Sequence, residues 1–394
     1  MRDRAGLDPL VVDDTDEQAL LRATVSKIAR GFGHAYFADC AARGESASAL
    51  WAALADGGFV GVNVEARFGG GGMGISELAI VEEELAATGC PLMMLVVSPA
   101  IAAPMIERFG TEEQQNNWLP GLAAGTTKVA FAFTEPDAGS NAHRVALSAT
   151  PASSGSWALR GTKHYISGAD EADAILVVAR TAWDAESERA RLSLFLVPSG
   201  SPGLQMSVIP VEVKAAERQW TLFFDDVVVG AECLLGVEGD GLRQLFHGLN
   251  PERILSASVC TGLGRYALDK AAAYAVERNV WGRPIGAHQG VAHPLARAAI
   301  ALEGARVMNR RAAARFDAGH EVGDEANMAK FAAAEAASLC LDVAIQVHGG
   351  HGLSTEYGLA DLWGLVRLYG IAPVTREMVL NHVAQHVLGL PRSY

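Results

Sequence analysis

Apolar residues recur at helical spacing through the first third of the chain. Leu20, Leu21, Val25 and Ile28 stand among charges and predict a helix over residues 13–39. A second helix is expected over 48–57. Phe68-Gly69-Gly70-Gly71-Gly72 then reads as a flexible loop. Ser76 opens a further helix, with Glu77 and the triplet Glu82–Glu84 near its start. Consecutive helical residues point in different directions, so the triplet is expected on a solvated or dipole-favoured face rather than around a metal. Residues 85–106 are uncharged and long enough to suggest a membrane span. Pro91, Pro99 and Pro104, with Gly89, break them instead into two short buried helices. Trp118 and Leu119 before Pro120 close another helix, so residues 1–125 are expected to form an all-helical domain.

The period then changes. Val129 to Phe133 is a short apolar run, and the segment from Trp157 to Ser167 reads as strand, turn, strand. Residues 174–179 are apolar, and Leu192, Leu194 and Leu196 alternate with Ser193 and Phe195. Residues 221–229 alternate less cleanly and carry Asp225 and Asp226. Short strands separated by Gly, Pro and Ser predict a β-barrel or sandwich over 126–238. From Gly241 the pattern is helical again. A helix over 254–278 has a seam of small residues, Ala257, Thr261, Gly264 and Ala271, with Gly262 beside it, suited to close helix packing. Two long helices follow over 291–316 and 324–348. The second ends in Gly349-Gly350, a natural C-cap. A last helix runs from about 375 to 387. Long helices with short connections predict a four-helix bundle over 239–394. The fold class is therefore multidomain: an N-terminal α domain, a middle β domain and a C-terminal helical bundle.

Length and composition agree with this division. A chain of 394 residues, half of them hydrophobic, exceeds what one core supports. The net charge of −13 argues against nucleic acid as a partner, because phosphates need a basic face. It leaves room for a phosphate-bearing cofactor held by a few local arginines or backbone donors. The five cysteines, Cys40, Cys90, Cys233, Cys260 and Cys340, are scattered and form no CxxC pair. They read as buried reduced thiols of a cytoplasmic protein. Met1-Arg-Asp-Arg-Ala-Gly has no apolar stretch and suggests no secretory signal. His382 and His386 share a helix face, but no HExxH frame accompanies them, so no metal is expected.

The chemistry concentrates in a few segments. In Phe131-Ala-Phe133-Thr134-Glu-Pro136-Asp137-Ala-Gly139-Ser140-Asn141 a strand breaks sharply into a loop. Pro136 fixes its own φ, Asp137 and Asn141 favour turns, and Gly139 is conformationally free. Backbone N–H groups and the hydroxyls of Thr134 and Ser140 are thereby released for a ligand. Far downstream, Gln346-Val-His-Gly349-Gly350-His-Gly-Leu-Ser-Thr-Glu-Tyr exposes backbone after a helix end. Between them lie Glu277-Arg278-Asn-Val-Trp281-Gly-Arg-Pro-Ile and then His288-Gln289. Each segment alone has an ordinary explanation: a strand exit, a helix cap, an arginine satisfying helix-end carbonyls. Together, in the order helical, β, helical, they resemble the acyl-CoA dehydrogenase family over nearly the whole chain.

The resemblance implies FAD, an acyl-CoA substrate, electron transfer to an electron-transfer flavoprotein and a homotetramer built as a dimer of dimers. It places Phe131, Phe133, Thr134, Gly139, Ser140, Tyr165, Ser167, Arg278, Trp281, Gln289, Gln346, Gly349, Gly350 and Thr375 at the flavin. Arg278 and Gln289 would reach it across a subunit interface, and Ser140 would also meet the pantetheine chain. In a strand, Tyr165 and Ser167 share a face, so both can touch one ligand. Removing a thioester α-proton needs a general base and a polarised carbonyl. Most family members carry that base as a Glu just before the final helix. Here Leu368-Tyr-Gly-Ile-Ala-Pro373-Val-Thr375-Arg-Glu has a proline there, with neither carboxylate nor N–H. The isovaleryl-CoA and long-chain types place it on the first long bundle helix, directly before an Arg. Asn250-Pro251-Glu252-Arg253 matches, with Glu252 as base and Arg253 as a coenzyme A contact. The same four residues also suit a plain helix start, with Asn as cap, Pro at the first position and Glu in the first turn. Two other functions keep the fold: a flavin oxidase or monooxygenase, and a non-catalytic acyl-CoA-binding paralogue. Lys214-Ala-Ala-Glu217-Arg-Gln-Trp departs from the family's usual string without a functional reading.

Overall fold

The computed structural model describes residues 13–186 and 189–392. The sequence readings that fall on 1–12 and on 393–394, the N-terminal stretch among them, lie outside the described residues. Helix α1 (Asp16–Arg30) opens on a capping box between Thr15 and Gln18 and carries Asp16 and Glu17 in its first turn. The single helix expected over 13–39 is two. The chain breaks at Gly31 and Phe32 and resumes as α2 (Gly33–Arg43), with Gly33 at φ 69°. Next come α3 (Ser48–Asp56) and α4 (Ile75–Ala86). The glycine run before α4 is packed rather than flexible. A Cβ on Gly70 would lie 2.2 Å from the Val64 carbonyl oxygen, and Met73 N donates to Val62 O at 3.0 Å.

Helix α5 (Met93–Val97), a π-helical turn (Ser98–Ala102) and α6 (Ala103–Phe109) form one continuous rod, not two separate helices. The wider turn accommodates Pro99 within the rod. Helix α7 (Glu112–Ala123) likewise runs through Pro120 instead of ending before it. Among the described residues no helix is long and apolar enough to cross a membrane.

The middle of the chain is one eight-stranded sheet: β1 (Val129–Ala132), β2 (Ser148–Pro151), β3 (Trp157–Ser167), β4 (Ala174–Asp184), β5 (Arg189–Pro198), β6 (Leu204–Ile209), β7 (Gln219–Val229) and β8 (Leu234–Leu235). The order is β6-β7-β3-β2-β4-β5-β8, with β1 parallel to β4. β3 is a single strand, not the expected strand–turn–strand. The irregularity lies in its register against β7, which shifts between Leu159 and Gly161 and again between Lys163 and Ile166. β1 and β4 are apolar on both faces because one face packs on α6, α7 and the start of the next helix, and the other on β3 and β7.

The C-terminal part begins with α8 (Gly241–Glu277), 37 residues long. A small hairpin of β9 (Asn279–Val280) and β10 (Arg283–Pro284) leads into α9 (Gln289–Asp317) and α10 (Gly323–His348). α11 (Trp363–Leu368) is a short helix the pattern did not announce. α12 (Arg376–His382) continues through a π turn to Val387. The small seam on α8 does what its composition suggests. A Cβ on Gly262 would meet Glu83 O at 2.4 Å on α4, and one on Gly264 would meet a Leu302 methyl at 2.7 Å on α9. Four of the five cysteines are buried; Cys233 is partly exposed.

The acidic triplet of α4 is the largest departure from expectation, because all three residues are buried. Arg22 bonds Glu83 at 2.7 Å and Glu84 at 2.6 Å; Arg306 bonds Glu83 at 2.7 Å and Arg265 bonds Glu84 at 2.6 Å. Burial raises the proton affinity of Glu83, but the arginines outweigh it and hold the carboxyl at about 2. Glu82 has no cation and goes the other way, pushed well up by burial and then by Glu217. Glu217, from the unexplained 214–220 string, accepts from Met94 N at 3.2 Å, while Glu82 accepts from Leu92 N at 3.2 Å. Burial, with a smaller push from Glu171, lifts Glu217 to about 7.

A raised carboxyl binds its proton in the folded state at a pH where the unfolded chain has released it. The stability this group permits therefore falls as pH rises from about 4.5 to about 7. Glu217→Gln keeps the acceptor for Met94 and removes the titration. It should stabilise the protein at pH 8 by up to about 3 kcal/mol and change little at pH 4. Urea unfolding at both pH values checks this; an equal effect at the two would contradict it.

Candidate functional site

β1 leaves the sheet at Phe133 and enters the loop 134–141. The loop is held from below by a buried ion pair. Lys163 Nζ, fully buried on β3, donates to Glu135 Oε1 at 2.8 Å and to Phe133 O at 2.9 Å. The other carboxylate bonds come from Ala146 N and Leu147 N at 2.7 and 2.9 Å. Burial pulls the Lys163 ammonium down to about 8 against the attraction of Glu135. Glu135 and Ala138 exchange backbone bonds across the turn, and His164 N donates to Thr134 O at 2.9 Å. Gly139 and Ser140 are thus presented outward, and a Cβ on Gly139 would meet nothing within 4 Å. The sequence assigns no role to Glu135 or Lys163.

Phe131 and Phe133 lie with ring centroids 6.1 Å apart, both half-buried. On β3 the bulge puts Tyr165 at φ 58°, exposed by 56%, with buried Ile166 between it and Ser167. Ser167 Oγ donates to Gln219 Oε1 at 3.2 Å. Phe131, Phe133, Thr134, Tyr165 and Ser167 therefore belong to one neighbourhood where β1 and β3 meet the start of α5.

A second group gathers at the end of the bundle. Arg278 follows α8 in extended conformation, and its guanidinium has no hydrogen-bond partner among the described residues, so it is not satisfying helix-end carbonyls. Trp281, at φ 51° in the hairpin turn, is 89% exposed, and Gln289 begins α9. Gln346 is exposed, as are Gly349 and Gly350, where a Cβ would meet nothing within 4 Å. Gly349 is the C-cap of α10 as expected, its N–H donating to Gln346 O, but not in the usual left-handed conformation. Its φ of 58° and ψ of −134° lie where only glycine is at ease, and the chain runs straight into a 3-10 turn. Among the described residues no hydrogen bond or ring contact joins this group to the first. Thr375 caps α12 by accepting from Met378 N at 3.3 Å.

Glu252 sits inside α8, well past its start at Gly241. Helix-start chemistry therefore does not account for Asn250, Pro251 and Glu252. Asn250 is no cap; its side chain accepts from Arg253 Nη1 at 3.0 Å. The Glu252 carboxyl is enclosed by protein, although the residue retains some accessible surface. Burial lifts it to about 7, against the pull of Arg253 and Lys330. Pro373 is exposed, and no carboxylate replaces it within the loop 370–375. A groove of ≈ 440 Å³ runs beside the 139–144 loop between the β4–β5 hairpin and the start of α8, lined by His143, Asp184, Arg189, Arg191, Asp240 and Arg243, with Arg243 paired to Asp240 and Arg191 to Asp184. No group of three or more His, Cys, Asp or Glu among the described residues could hold a metal ion; His382 bonds Asp324 at 2.7 Å.

Comparison with known proteins completes the picture. The acyl-CoA dehydrogenase N-terminal, middle and C-terminal domain families match residues 15–126, 130–227 and 239–388. The chain belongs to the acyl-CoA dehydrogenase family. It is 48% identical over 389 residues to the acyl-CoA dehydrogenase FadE12 of Mycobacterium tuberculosis, covering 98% of this chain and all of that one. Butyryl-CoA dehydrogenase from Megasphaera elsdenii superposes with a TM-score of 0.91 at 28% identity, over 95% of this chain and 99% of that one. An FAD complex of PigA gives 0.89 at 26%, over 96% and 99%. The protein is thus an oxidoreductase of fatty acid metabolism that acts on a CH–CH bond, with FAD as cofactor. The open glycines 139, 349 and 350, the exposed aromatics Tyr165 and Trp281 and the unpaired Arg278 fit a ligand with a planar ring and a pyrophosphate.

Lys163→Met leaves Glu135 buried without its cation, at a cost of about 3–5 kcal/mol. The loop above it should loosen, so the purified variant should carry less flavin absorbance per chain. Adding Glu135→Gln should recover part of both losses. An unchanged flavin content in the single variant would show that the ion pair does not support the loop.

Proposed function

We propose that the enzyme is an acyl-CoA dehydrogenase that converts an acyl thioester to its trans-2-enoyl product, with Glu252 as the base. The observation that carries this reading is a recessed carboxyl in mid-helix, outside any capping role, with a proton affinity near neutrality. The α-proton moves to a Glu252 carboxylate oxygen as the α,β double bond forms. Bound FAD supplies the acceptor for the hydride that leaves the β-carbon. Ser140 and Arg253 contact the pantetheine chain and the coenzyme A side of the site. Pro373 offers no N–H to the thioester carbonyl, so polarisation falls to Val374 N–H or to the cofactor's ribityl hydroxyl.

Phe131, Phe133, Thr134, Tyr165, Ser167 and Thr375 are assigned to the flavin ring, with Gly139 and Ser140 from the loop. Arg278, Trp281, Gln289, Gln346, Gly349 and Gly350 are assigned to the pyrophosphate and adenosine of a neighbouring subunit's cofactor. The separation of the two groups within one chain supports that assignment and the homotetramer it requires. An electron-transfer flavoprotein is the proposed acceptor, in the cytoplasm. Glu252 distinguishes this reading from a flavin oxidase and from a non-catalytic paralogue.

Glu252→Gln should retain flavin and slow its anaerobic bleaching by acyl-CoA by about 10²–10⁴-fold. A base that must be ionised makes kcat/KM climb with pH through about 7 and level off above it. Near-normal bleaching in the variant would refute the assignment of the base.

A further inference from the structure

Lys330 on α10 is the one lysine of the bundle that is fully buried, with 1% of its surface exposed. Its ammonium donates to Val374 O at 2.6 Å, reaching into the loop between α11 and α12. Burial pulls this ammonium down to about 8, and Glu252 and Arg253 of α8 act on it electrostatically. α8 and α10 are neighbours along the bundle, so this side chain bridges three elements around one point. We infer that Lys330 is a positioning residue for proton transfer: one buried ammonium anchors the loop 370–375 through its bond to Val374 O and sets a positive charge on the Glu252 side of α8. This rests on Glu252 being the base.

The loop needs such an anchor. Pro373 has no N–H to contribute, and the loop's own ties are Ile371 N and Ala372 N to Leu368 O and Arg376 N to Gly370 O, all at its ends. Val374 N–H has no acceptor among the described residues, so the carbonyl bond to Lys330 alone tethers the centre. The carboxylate needs a cation as well. Burial alone disfavours its charge, and two cations oppose that, Arg253 beside it in the chain and Lys330 across the helix pair. Arg253 directs Nη1 to Asn250, and its Nε is buried without a partner.

The other groups that bear on this point are few. Cys260 on α8 and Glu377 on α12 act on Lys330, the latter from an exposed position where solvent screens it. Tyr369, after α11, is fully enclosed, and Glu252, Glu82 of α4, Glu217 before β7 and Cys260 all act on its hydroxyl. Glu82 and Glu217 act on each other but do not figure among the groups acting on Glu252. Arg253 is the stronger of the two cations acting on Glu252, and Lys330 is the one that also bonds the loop, so its removal tests charge and anchor together.

The test uses the flavin-loaded enzyme and the pH dependence of kcat/KM for an acyl-CoA that bleaches the wild type. Lys330→Gln keeps a donor for Val374 and removes the charge. Its acid limb should move up by about one pH unit, so that activity falls about tenfold at pH 6 and recovers at pH 9. Flavin content should be unchanged. Lys330→Met serves where the amide variant does not fold; it should show the same move with a weaker hold on substrate, because the loop is released as well. Lys330→Arg retains the charge and should leave the acid limb in place. An acid limb unmoved in the neutral variants, or raised as far in the arginine variant, overturns the inference. Glu252→Gln is run alongside. If it stays active the base has been misassigned; if it is inactive while the Lys330 limb does not move, only the role of Lys330 fails.

Discussion

Placing charge inside a protein is costly unless an opposite charge goes with it, and this molecule shows graded degrees of compensation within one fold. Glu83 and Glu84 meet three arginines drawn from α1, α8 and α9. Glu135 meets one lysine and two backbone donors. Glu252 meets a lysine and an arginine across a gap, without a direct hydrogen bond to either. Glu82 meets no cation. The sequence shows only Glu in each case. The number and closeness of cations decide whether the carboxylate is a permanent strut, a neutral acid or a group poised to exchange a proton.

That gradation separates architecture from chemistry. The arginine-clamped acids hold α4 to its neighbours, and Glu83 among them is ionised at any working pH. The Glu135–Lys163 pair braces the loop 134–141 from below, so it supports the candidate site without entering it. Glu252 is compensated enough to ionise and not so well that it cannot accept a proton back. A fully paired glutamate would be too weak a base, and an unpaired one would stay protonated. The bundle supplies the intermediate condition by setting two cations near the carboxyl without bonding them to it.

The long elements were legible because their signals are local. α9 and α10 read from periodicity almost to the residue, and the small seam of α8 predicted the close approach that Gly262 and Gly264 make. The parts that misled depend on distant contacts. Glu82–Glu84 looked solvated because Arg265 and Arg306 lie some two hundred residues away in the chain. The glycines before α4 looked flexible because their partners, Val62 and Val64, follow a turn that only packing specifies. Trp157–Ser167 read as a hairpin because a bulge and a turn both break alternation, and only pairing with β7 tells them apart. In the site, the loop and glycine segments were readable as motifs. The lysines that hold the loops, Lys163 and Lys330, were not. A single lysine in an apolar stretch carries no mark of what it faces.

The same reasoning bears on the proline at 373. A base mounted on the loop 370–375 would stand on a short connection tied mainly at its ends. A base at 252 stands in the interior of a 37-residue helix packed against α4, α9 and α10, where backbone freedom is least. Proton transfer tolerates little error in distance, so on the proposed assignment a carboxyl on the helix has the more rigid mount. The loop is then released from carrying the acid and can take a proline, whose lack of N–H would otherwise disturb the backbone of a catalytic residue. It must still be kept from drifting into the space the substrate needs. A single buried ammonium between helix and loop meets both demands, because the charge that favours the carboxylate also bonds the carbonyl that fixes the loop.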